Sequence, residues 1–281
     1  MKGVESTLSF KRRKMKIAVI QLNSINDKKR NLEKIREFFA SAKKGNCNVV
    51  ALPEVFNCRC SLEDMPKYLE DFNTSPSIKA LQGMAQEFNF WILAGSLLLR
   101  EDSAELPFNT SFVISPEGKL ESKYSKIHLF KVQLDNKKID ETERSQAGLK
   151  PVIAKLPEEI KLGMSICYDL RFPELYRIYS QEKVEILYVP SAFTKKTGEA
   201  HWEVLLRARA IENQAFVIAP NQCGEANGVE NYGHSMIIDP WGNVLARASG
   251  DNEEVIYAEI DLDLLKNIRA NIPALEHRKI Y

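Results

Sequence analysis

The chain contains 281 residues, of which 39 are lysine or arginine, 38 are aspartate or glutamate, and 44% are hydrophobic. A formal charge of +1 provides no long-range field for a nucleic-acid backbone or an anionic lipid surface, which argues against nucleic-acid and membrane partners. The longest apolar run, residues 90–99, is shorter than the roughly 20 residues that a membrane helix requires, so we expect a soluble globular protein.

Strands are predicted throughout the chain after a basic N-terminal stretch. Residues 1–15 are predicted to be a flexible extension, and residues 16–281 a single folded domain. Nine runs rich in β-branched or apolar residues have the composition and length of strands. In chain order they are KIAVIQL, NVVALPE, FWILAGSLLL, NTSFVIS, IKLGMSICYD, VEILYVPS, AFVIAPNQ, HSMIIDP and EVIYAEIDL.

Five helices are predicted between these strands. They cover residues 31–44, 77–88, 173–179, 199–213 and 262–270. The first two carry apolar side chains at helical spacing, and the third begins with a proline, which suits the first turn of a helix. Pro116 and Pro240, each followed two residues later by glycine, predict hairpin turns that add antiparallel pairs. We therefore expect an α/β fold in which outer helices cover two mixed sheets.

Three strand ends carry groups that could perform chemistry on a rigid support. Glu54 ends the run NVVALPE, Lys126 lies at the far end of a strand in KYSKIHLF, and Cys167 lies in GMSICYD. A free thiol is only about 3% thiolate at pH 7, so a nucleophilic cysteine needs a neighbouring base or cation. A carboxylate, an ammonium and a thiol together cover the proton transfers and oxyanion stabilisation that splitting a C–N bond requires.

Each of these residues also has an ordinary structural interpretation. A lone cysteine in an apolar strand usually packs as a small hydrophobe, and a lone lysine is usually solvated. A glutamate after proline often caps a helix or pairs with arginine. Composition does not show that the three positions meet in space, so the case for chemistry depends on longer motifs.

Three sequence blocks provide such motifs: LPEVF (52–56), KYSKIHLF (123–130) and GMSICYDLRFPELYR (163–177). With them, the chain from residue 16 to about residue 281 resembles the nitrilase superfamily of carbon–nitrogen hydrolases, whose signature blocks carry glutamate, lysine and cysteine in this order. The resemblance implies that Glu54 is the general base, Lys126 the cation that stabilises the oxyanion, and Cys167 the nucleophile that forms a thioester. It also implies a four-layer α-β-β-α sandwich and a homodimer, or a higher homo-oligomer, assembled through outer helices.

The resemblance assigns two further groups to the catalytic machinery. The backbone N–H of Tyr168 is expected to assist at the oxyanion. A second glutamate follows the lysine block in this superfamily, and aligning ETERSQAG by its closing glycine places that role on Glu141. The preceding segment KVQLDNKKIDE departs from the usual pattern and is one residue shorter, so Glu143 is the alternative.

One branch of the superfamily is resembled more closely than the others. The stretch from PSAFTKK to APNQCG, followed by YGHSMIIDPWGNVLA, is similar to the amidases that hydrolyse deaminated glutathione, and it differs from the related omega-amidases in the segment 221–224. The resemblance implies a small amide substrate that carries carboxylates.

Four residues are candidates for substrate binding: Tyr168, Arg171, Phe193 and Thr194. Arg171 suits a carboxylate because a guanidinium offers a planar fork of donors; its structural alternative is a salt bridge with Glu174 or Asp169. Phe193 and Thr194 follow a predicted strand end and are expected to line the pocket. His201 is expected to orient a loop or cap the following helix.

The five cysteines are odd in number and scattered, at positions 47, 58, 60, 167 and 223. This pattern argues for a reducing compartment, and the cytoplasm is the default. The basic N-terminal stretch lacks the apolar segment of a secretory signal, while an organelle-targeting function stays open. Cys58 and Cys60 have no second ligand pair at zinc spacing, so we expect neither a metal nor another cofactor.

Several other functions compete with this interpretation. Omega-amidase, carbamoyl-amide hydrolase and nitrilase activities use the same triad. A Cys–His thiol protease would use one of the four histidines as its base, but the papain-type context around the cysteine is absent. A non-catalytic dimeric interaction module is the alternative from another class, and the presence of all three reactive residues argues against it.

Overall fold

A computed structural model of the protein describes residues 14–101, 104–134 and 137–280. The helices of these residues are α1 (Lys28–Lys44), α2 (Met65–Tyr68), α3 (Pro76–Phe88), α4 (Pro173–Gln181), α5 (Lys195–Asn213) and α6 (Leu262–Asn271). The strands are β1 (Lys14–Gln21), β2 (Val49–Ala51), β3 (Glu70–Asp71), β4 (Trp91–Leu93), β5 (Leu97–Arg100), β6 (Phe108–Ile114), β7 (Leu120–Ser125), β8 (Lys131–Leu134), β9 (Lys137–Asp140), β10 (Ile153–Lys155), β11 (Lys161–Met164), β12 (Ile186–Tyr188), β13 (Phe216–Ala219), β14 (Cys223–Ala226), β15 (Val229–Tyr232), β16 (Met236–Ile238), β17 (Val244–Arg247) and β18 (Glu254–Asp261).

Two mixed sheets form the centre of the fold. The first has the strand order β18-β1-β2-β4-β6-β5-β3, with β7 paired to β6, and the second has the order β10-β11-β12-β13-β16-β17. Strands β1, β2 and β4 run parallel, as do β11, β12 and β13, and the flanking pairs are mainly antiparallel. The predicted α/β fold with mixed sheets is therefore confirmed.

The first sheet is apolar on both faces because its side chains alternate between two cores. In β1, Ala18 and Ile20 pack into a cluster with Ile35 and Phe39 of α1 and with residues of α3. The alternate residues of this strand, Ile17 and Val19, contribute to the other cluster instead. Helices α1 and α3 therefore form the layer outside the first sheet.

The second cluster fills the space between the sheets and continues beneath the helices on the far side. Val113 and Tyr124 from the first sheet share it with Met164 and Tyr188 from the second. Side chains of α4 and α5, including Trp202, belong to the same cluster, and α5 contacts β13 and β16. The order of layers is therefore helix, sheet, sheet, helix.

Capping residues set the starts of the first two long helices. Asp27 accepts a hydrogen bond from the N–H of Arg30 at 3.0 Å, and Ser75 accepts one from the N–H of Ile78 at 3.1 Å. Helix α1 consequently begins three residues before the predicted start, because Asp27 caps it ahead of the first apolar position. In α3, Pro76 occupies the first turn, where a missing N–H costs nothing.

The run FWILAGSLLL was predicted as one strand, and the structure divides it into β4 and β5. Both pair antiparallel with the same edge of β6, at residues 113–114 and 108–110, while β7 pairs with its other edge. The pairing is interrupted between them at Gly95, whose φ is +50°. A Cβ at this position would lie 2.0 Å from the carbonyl oxygen of Pro53, so only glycine fits beside the segment that follows β2.

The two predicted hairpins are present as β6–β7 and β16–β17. Two short hairpins, β8–β9 and β14–β15, were not predicted because their strands are brief and polar. Strand β1 begins at Lys14, two residues before the predicted start of the folded part, and residues 1–13 of the predicted extension lie outside the described residues. None of the helices in the described ranges is long and apolar enough to cross a membrane.

Candidate active site

Ends of strands from both sheets meet at one cavity of about 560 Å³. Glu54 comes three residues after β2, and Lys126 follows β7 directly. Cys167 opens a 3-10 turn, Cys167–Arg171, just beyond β11. Glu54 and Cys167 line the cavity, and Lys126 is fully buried against Glu54. The structure therefore brings the three predicted reactive side chains to one place.

Lys126 is held between two carboxylates. Its Nζ lies 2.9 Å from Glu54 Oε1 and 2.9 Å from Glu141 Oε1. Glu141 opens the 3-10 turn Glu141–Glu143, and its Oε2 accepts a hydrogen bond from the N–H of Phe130 at 2.8 Å. Glu143 is exposed on the same turn. The fold thus brings Glu141, rather than Glu143, to the lysine.

Other partners fix the Glu54 carboxylate. Asn109 Nδ2 donates to Oε1 at 2.8 Å, and the N–H of Ala192 donates to Oε2 at 2.8 Å. Gln222 Nε2 donates to the backbone carbonyl of Glu54 at 2.9 Å. Sequence analysis did not identify Asn109, since an isolated asparagine inside a strand has no recognisable signal. The carboxylate is held from three directions, so its orientation is fixed before any substrate binds.

Burial and neighbouring charge act in opposite directions on Lys126. Desolvation works to lower the pKa of the ammonium, but Glu141 and Glu54 outweigh it and hold the pKa well above its ordinary value. Burial raises the pKa of Glu141 against the opposing charge of Lys126, and the charge of Glu54 raises it further. Lys126 therefore carries a fixed positive charge at neutral pH.

Cys167 lies in a constrained turn, with a φ of +47° that non-glycine residues seldom adopt. Burial raises the pKa of its thiol well above the ordinary value, and the charge of Glu54 adds to the rise. Lys126 and a hydrogen bond from the N–H of Ala192 act in the opposite direction. The thiol is therefore protonated at neutral pH and needs a base to become a nucleophile.

Asp169 joins the cysteine turn to the lysine loop. The side chain is fully buried, and its Oδ2 accepts hydrogen bonds from the hydroxyl of Tyr124 at 2.7 Å and the N–H of Ile166 at 2.9 Å. Its Oδ1 lies 3.0 Å from the backbone nitrogen and 2.7 Å from the Nδ1 of His128. Asp169 is therefore committed to positioning and does not form the predicted alternative salt bridge with Arg171.

Tyr188 links the two sheets through the segment that leads to Glu54. Its buried hydroxyl lies 2.6 Å from the carbonyl oxygen of Leu52 and accepts a hydrogen bond from the N–H of Gly95 at 2.7 Å. These contacts connect β12 to the segments that follow β2 and β4. Sequence analysis assigned Tyr188 only to a strand, because its cross-sheet contact depends on the packing of distant segments.

The four predicted substrate-binding residues all line the cavity: Tyr168, Arg171, Phe193 and Thr194. The guanidinium of Arg171 lies 5.8 Å from the ring centroid of Tyr168 and 5.3 Å from that of Phe193. Thr194 directly precedes α5, and its hydroxyl lies 2.8 Å from that of Thr197. The cavity wall therefore combines aromatic rings, a hydroxyl pair and a cation.

The histidines near the site contact neighbouring residues rather than the reactive groups. His201 lies within α5, so it does not cap that helix as expected, and its Nδ1 lies 3.3 Å from Arg171 Nη1. His128 is bound to Asp169 and stacks on Phe172 with ring centroids 3.7 Å apart. No histidine lines the cavity in the described part of the chain. This arrangement does not favour the Cys–His protease alternative.

Comparison with known proteins agrees with this geometry. The family model for carbon–nitrogen hydrolases matches residues 16–270. The chain is 38% identical to a deaminated glutathione amidase of Dictyostelium discoideum over 94% of both chains, and 38% identical to the omega-amidase NIT2 of Mus musculus, over 94% of this chain and 95% of that protein. The crystal structure of Nit3 from Saccharomyces cerevisiae superposes with a TM-score of 0.86 at 32% identity, covering 95% of this chain and 97% of that one. The predicted resemblance is confirmed: the chain belongs to the carbon–nitrogen hydrolase family, within the nitrilase superfamily.

Proposed function

We propose that the protein is a cysteine-dependent amidase that hydrolyses a small carboxylate-bearing amide through a thioester intermediate. One observation carries this proposal: a protonated thiol, a fixed ammonium and an oriented carboxylate occupy a single cavity, with the N–H of Ala192 contacting both Glu54 and Cys167. These are the groups that amide cleavage needs, namely a nucleophile, a base and a stabiliser of negative charge.

The first chemical step is acylation of the cysteine. Glu54 takes the proton of the Cys167 thiol, and the sulfur attacks the amide carbon. Lys126 offers its fixed charge to the developing oxyanion, and the N–H of Tyr168 assists. Glu54 then returns the proton to the leaving nitrogen, so the amine or ammonia departs and a thioester remains.

Hydrolysis of the thioester uses the same groups in reverse. Glu54, again a carboxylate, removes a proton from water as the water attacks the thioester carbon, and then returns that proton to the sulfur. Glu141 keeps the Lys126 ammonium charged and oriented throughout, because it holds the side of Nζ that Glu54 leaves free. The net reaction consumes one water and leaves the enzyme unchanged.

Two candidate substrate classes follow from the relatives. The deaminated glutathione amidases and the omega-amidases match this chain with similar identities, so identity alone does not separate them. The segment 221–224 favours a substrate like deaminated glutathione. In the structure, Asn221 Oδ1 accepts a hydrogen bond from the N–H of Phe193 at 2.9 Å, so this segment shapes the cavity wall.

Intact mass spectrometry combined with an ammonia assay tests the proposal. Wild-type protein is incubated with deaminated glutathione and with ω-amides of short dicarboxylic acids. We expect an acyl adduct on Cys167 together with released amine or ammonia, and no adduct in Cys167→Ala. If folded protein released neither amine nor ammonia from any amide of the panel, the non-catalytic interaction module would be favoured. Turnover of carbamoyl amides alone, or of nitriles alone, would favour the carbamoyl-amide hydrolase or the nitrilase alternative.

We also propose that the protein forms a homodimer and functions in a reducing compartment such as the cytoplasm. Exposed apolar side chains on the outer helices, Ile178 of α4 and Val204 and Ile211 of α5, support self-association. The five cysteines are free, which suits a reducing compartment. Light scattering during size-exclusion chromatography tests the dimer, and a strictly monomeric peak would contradict it.

A further inference from the structure

The cavity wall contains three arginines that could meet an anionic substrate: Arg59, Arg144 and Arg171. Arg59 is already occupied by the fold. Its guanidinium donates to the carbonyl of Ser24 at 2.9 Å and to the side chains of Asn231 and Asn23. Arg59 therefore serves the structure of the wall and offers little to a ligand.

Arg171 is also engaged. The rings of Tyr168 and Phe193 both lie within cation–π distance of its guanidinium. One of the guanidinium nitrogens also contacts His201. This guanidinium is oriented by packing, and part of its donor set is used.

Arg144 differs from both. It follows the turn that carries Glu141, and its N–H donates to the carbonyl of Glu141 at 3.0 Å. Its Nε is buried and finds no hydrogen-bond partner within residues 14–101, 104–134 and 137–280. Its charge is felt by the thiol of Cys60 on the same cavity wall. A buried donor without a partner is costly, and an acceptor oxygen of a ligand in the cavity would supply the missing partner.

The charge of the cavity explains which ligand would need Arg144. One ammonium, Lys126, faces two carboxyl groups, Glu54 and Glu141, at the reactive end. A substrate carboxylate that enters meets this acidic pair and requires a cation elsewhere on the wall. A planar guanidinium with free donors is the group best suited to bind it.

We propose that Arg144 binds the substrate carboxylate that is remote from the scissile amide and so determines specificity for carboxylate-bearing amides. This inference rests on the proposed amidase function. Arg144 takes part in no proton transfer and forms no covalent bond during the reaction. It selects among amides by their charge, while Glu54, Lys126 and Cys167 treat all amides alike.

Binding to the Cys167→Ala variant tests the inference without turnover. Calorimetry compares glutaric acid monoamide, which carries a carboxylate, with valeramide, the neutral amide of the same length. Adding Arg144→Gln should weaken binding of the monoamide on the order of 10- to 100-fold, the effect of losing a charge-assisted hydrogen bond, and leave valeramide unchanged. Arg144→Lys should lose less, since it keeps the charge and loses the fork.

Arg36→Gln, at an exposed arginine of α1, is the matched control and should change neither affinity. Equal weakening of both ligands would overturn the inference, because it would reveal a structural role, and so would unchanged binding of the monoamide. Steady-state kinetics provide the second readout. In protein that retains Cys167, Arg144→Gln should raise KM for the monoamide and leave kcat unchanged. Failure of the wild type to release either ammonia or an amine from the amide panel would refute the amidase proposal, while the binding comparison would still decide the case of Arg144.

Discussion

Two groups of residues at the cavity differ in how completely their polar groups are satisfied. We call the reactive group the floor and the second group the rim; the floor consists of Glu54, Lys126, Glu141 and Cys167, and the rim of Cys58, Cys60 and Arg144. On the floor, every carboxylate oxygen has a donor within 2.9 Å. On the rim, a buried guanidinium nitrogen has no partner in the described part of the chain. The floor is thus complete without a substrate, and the rim is not.

This difference separates chemistry from selection. A base and an oxyanion-stabilising charge work best when their orientation is fixed in advance, since no reorganisation is then needed during the reaction. Selectivity can instead use groups that gain their partner only from the ligand, because an unsuitable ligand leaves them unpaired. The floor stands on strand ends, whereas the rim lies on short irregular segments that change without disturbing the sheets.

The largest effect is expected at the nucleophile. Cys167→Ala removes the sulfur but changes the packed volume little, so turnover should fall by at least about 10⁴-fold with an unchanged melting temperature. Ammonia release and differential scanning calorimetry measure the two quantities. Full activity in this variant, or in Cys167→Ser, would show that the floor does not carry the reaction.

The second-largest effect is expected at the general base, Glu54. Glu54→Gln cannot accept the thiol proton, and the high pKa of Cys167 means that little thiolate forms without it. We expect a loss of about 10²- to 10⁴-fold and no acyl-enzyme in intact mass spectra. Glu143→Gln is the matched control, since this exposed glutamate lines the cavity but does not bind Lys126. A Glu54→Gln protein that accumulates acyl-enzyme normally would exclude Glu54 as the base.

Removing the lysine should damage the floor itself. Lys126→Met leaves Glu54 and Glu141 buried without their shared cation, which should lower the free energy of unfolding by about 3–5 kcal/mol in urea titrations. Burial already raises the pKa of Glu141, and removing the cation that opposes this rise would raise it further, so the loss of stability should be larger at about pH 8 than at about pH 5. Lys126→Met combined with Glu141→Gln should recover part of the stability. If the single variant Lys126→Met and the double variant were equally stable, Lys126 and Glu141 would not be electrostatically coupled.

The sequence predicted the floor far better than the rim, and the reason is physical. Glu54, Lys126 and Cys167 follow strands closely. Each also lies in one of the three sequence blocks that resemble the signature blocks of the nitrilase superfamily. Asn109 and Tyr188 act through contacts between segments that are distant in sequence, which no local pattern encodes. The same limit applies to the fold, since the break at Gly95 depends on the carbonyl of Pro53 rather than on the composition of the run.

The rim was outside the reach of sequence analysis for a related reason. In the sequence, the Cys58–Cys60 pair is only a weak metal signal, and nothing marks Arg144 as a functional residue. A charged residue on a loop is usually solvated, so the sequence gives no sign that the Nε of Arg144 is buried without a hydrogen-bond partner in the described part of the chain. Only the position of the loop against the cavity makes such a residue informative.

The smallest predicted effect concerns Cys60, one of the three cysteines that line the cavity with Cys58 and Cys167. A hydrogen bond from Cys58 lowers the pKa of Cys60 to about 7 against the effect of burial, and the charge of Arg144 assists. Cys60 is therefore a thiol below that pH and a thiolate above it, so its alkylation by iodoacetamide should rise through pH 7 and level off near pH 8. Cys58→Ala should move the midpoint up toward about 8.5, and Arg144→Gln should move it less, because the hydrogen bond is the larger cause. Peptide mapping in a Cys167→Ala background measures both midpoints; a Cys60 that titrates like an ordinary thiol would show that the rim does not tune its groups as the floor does.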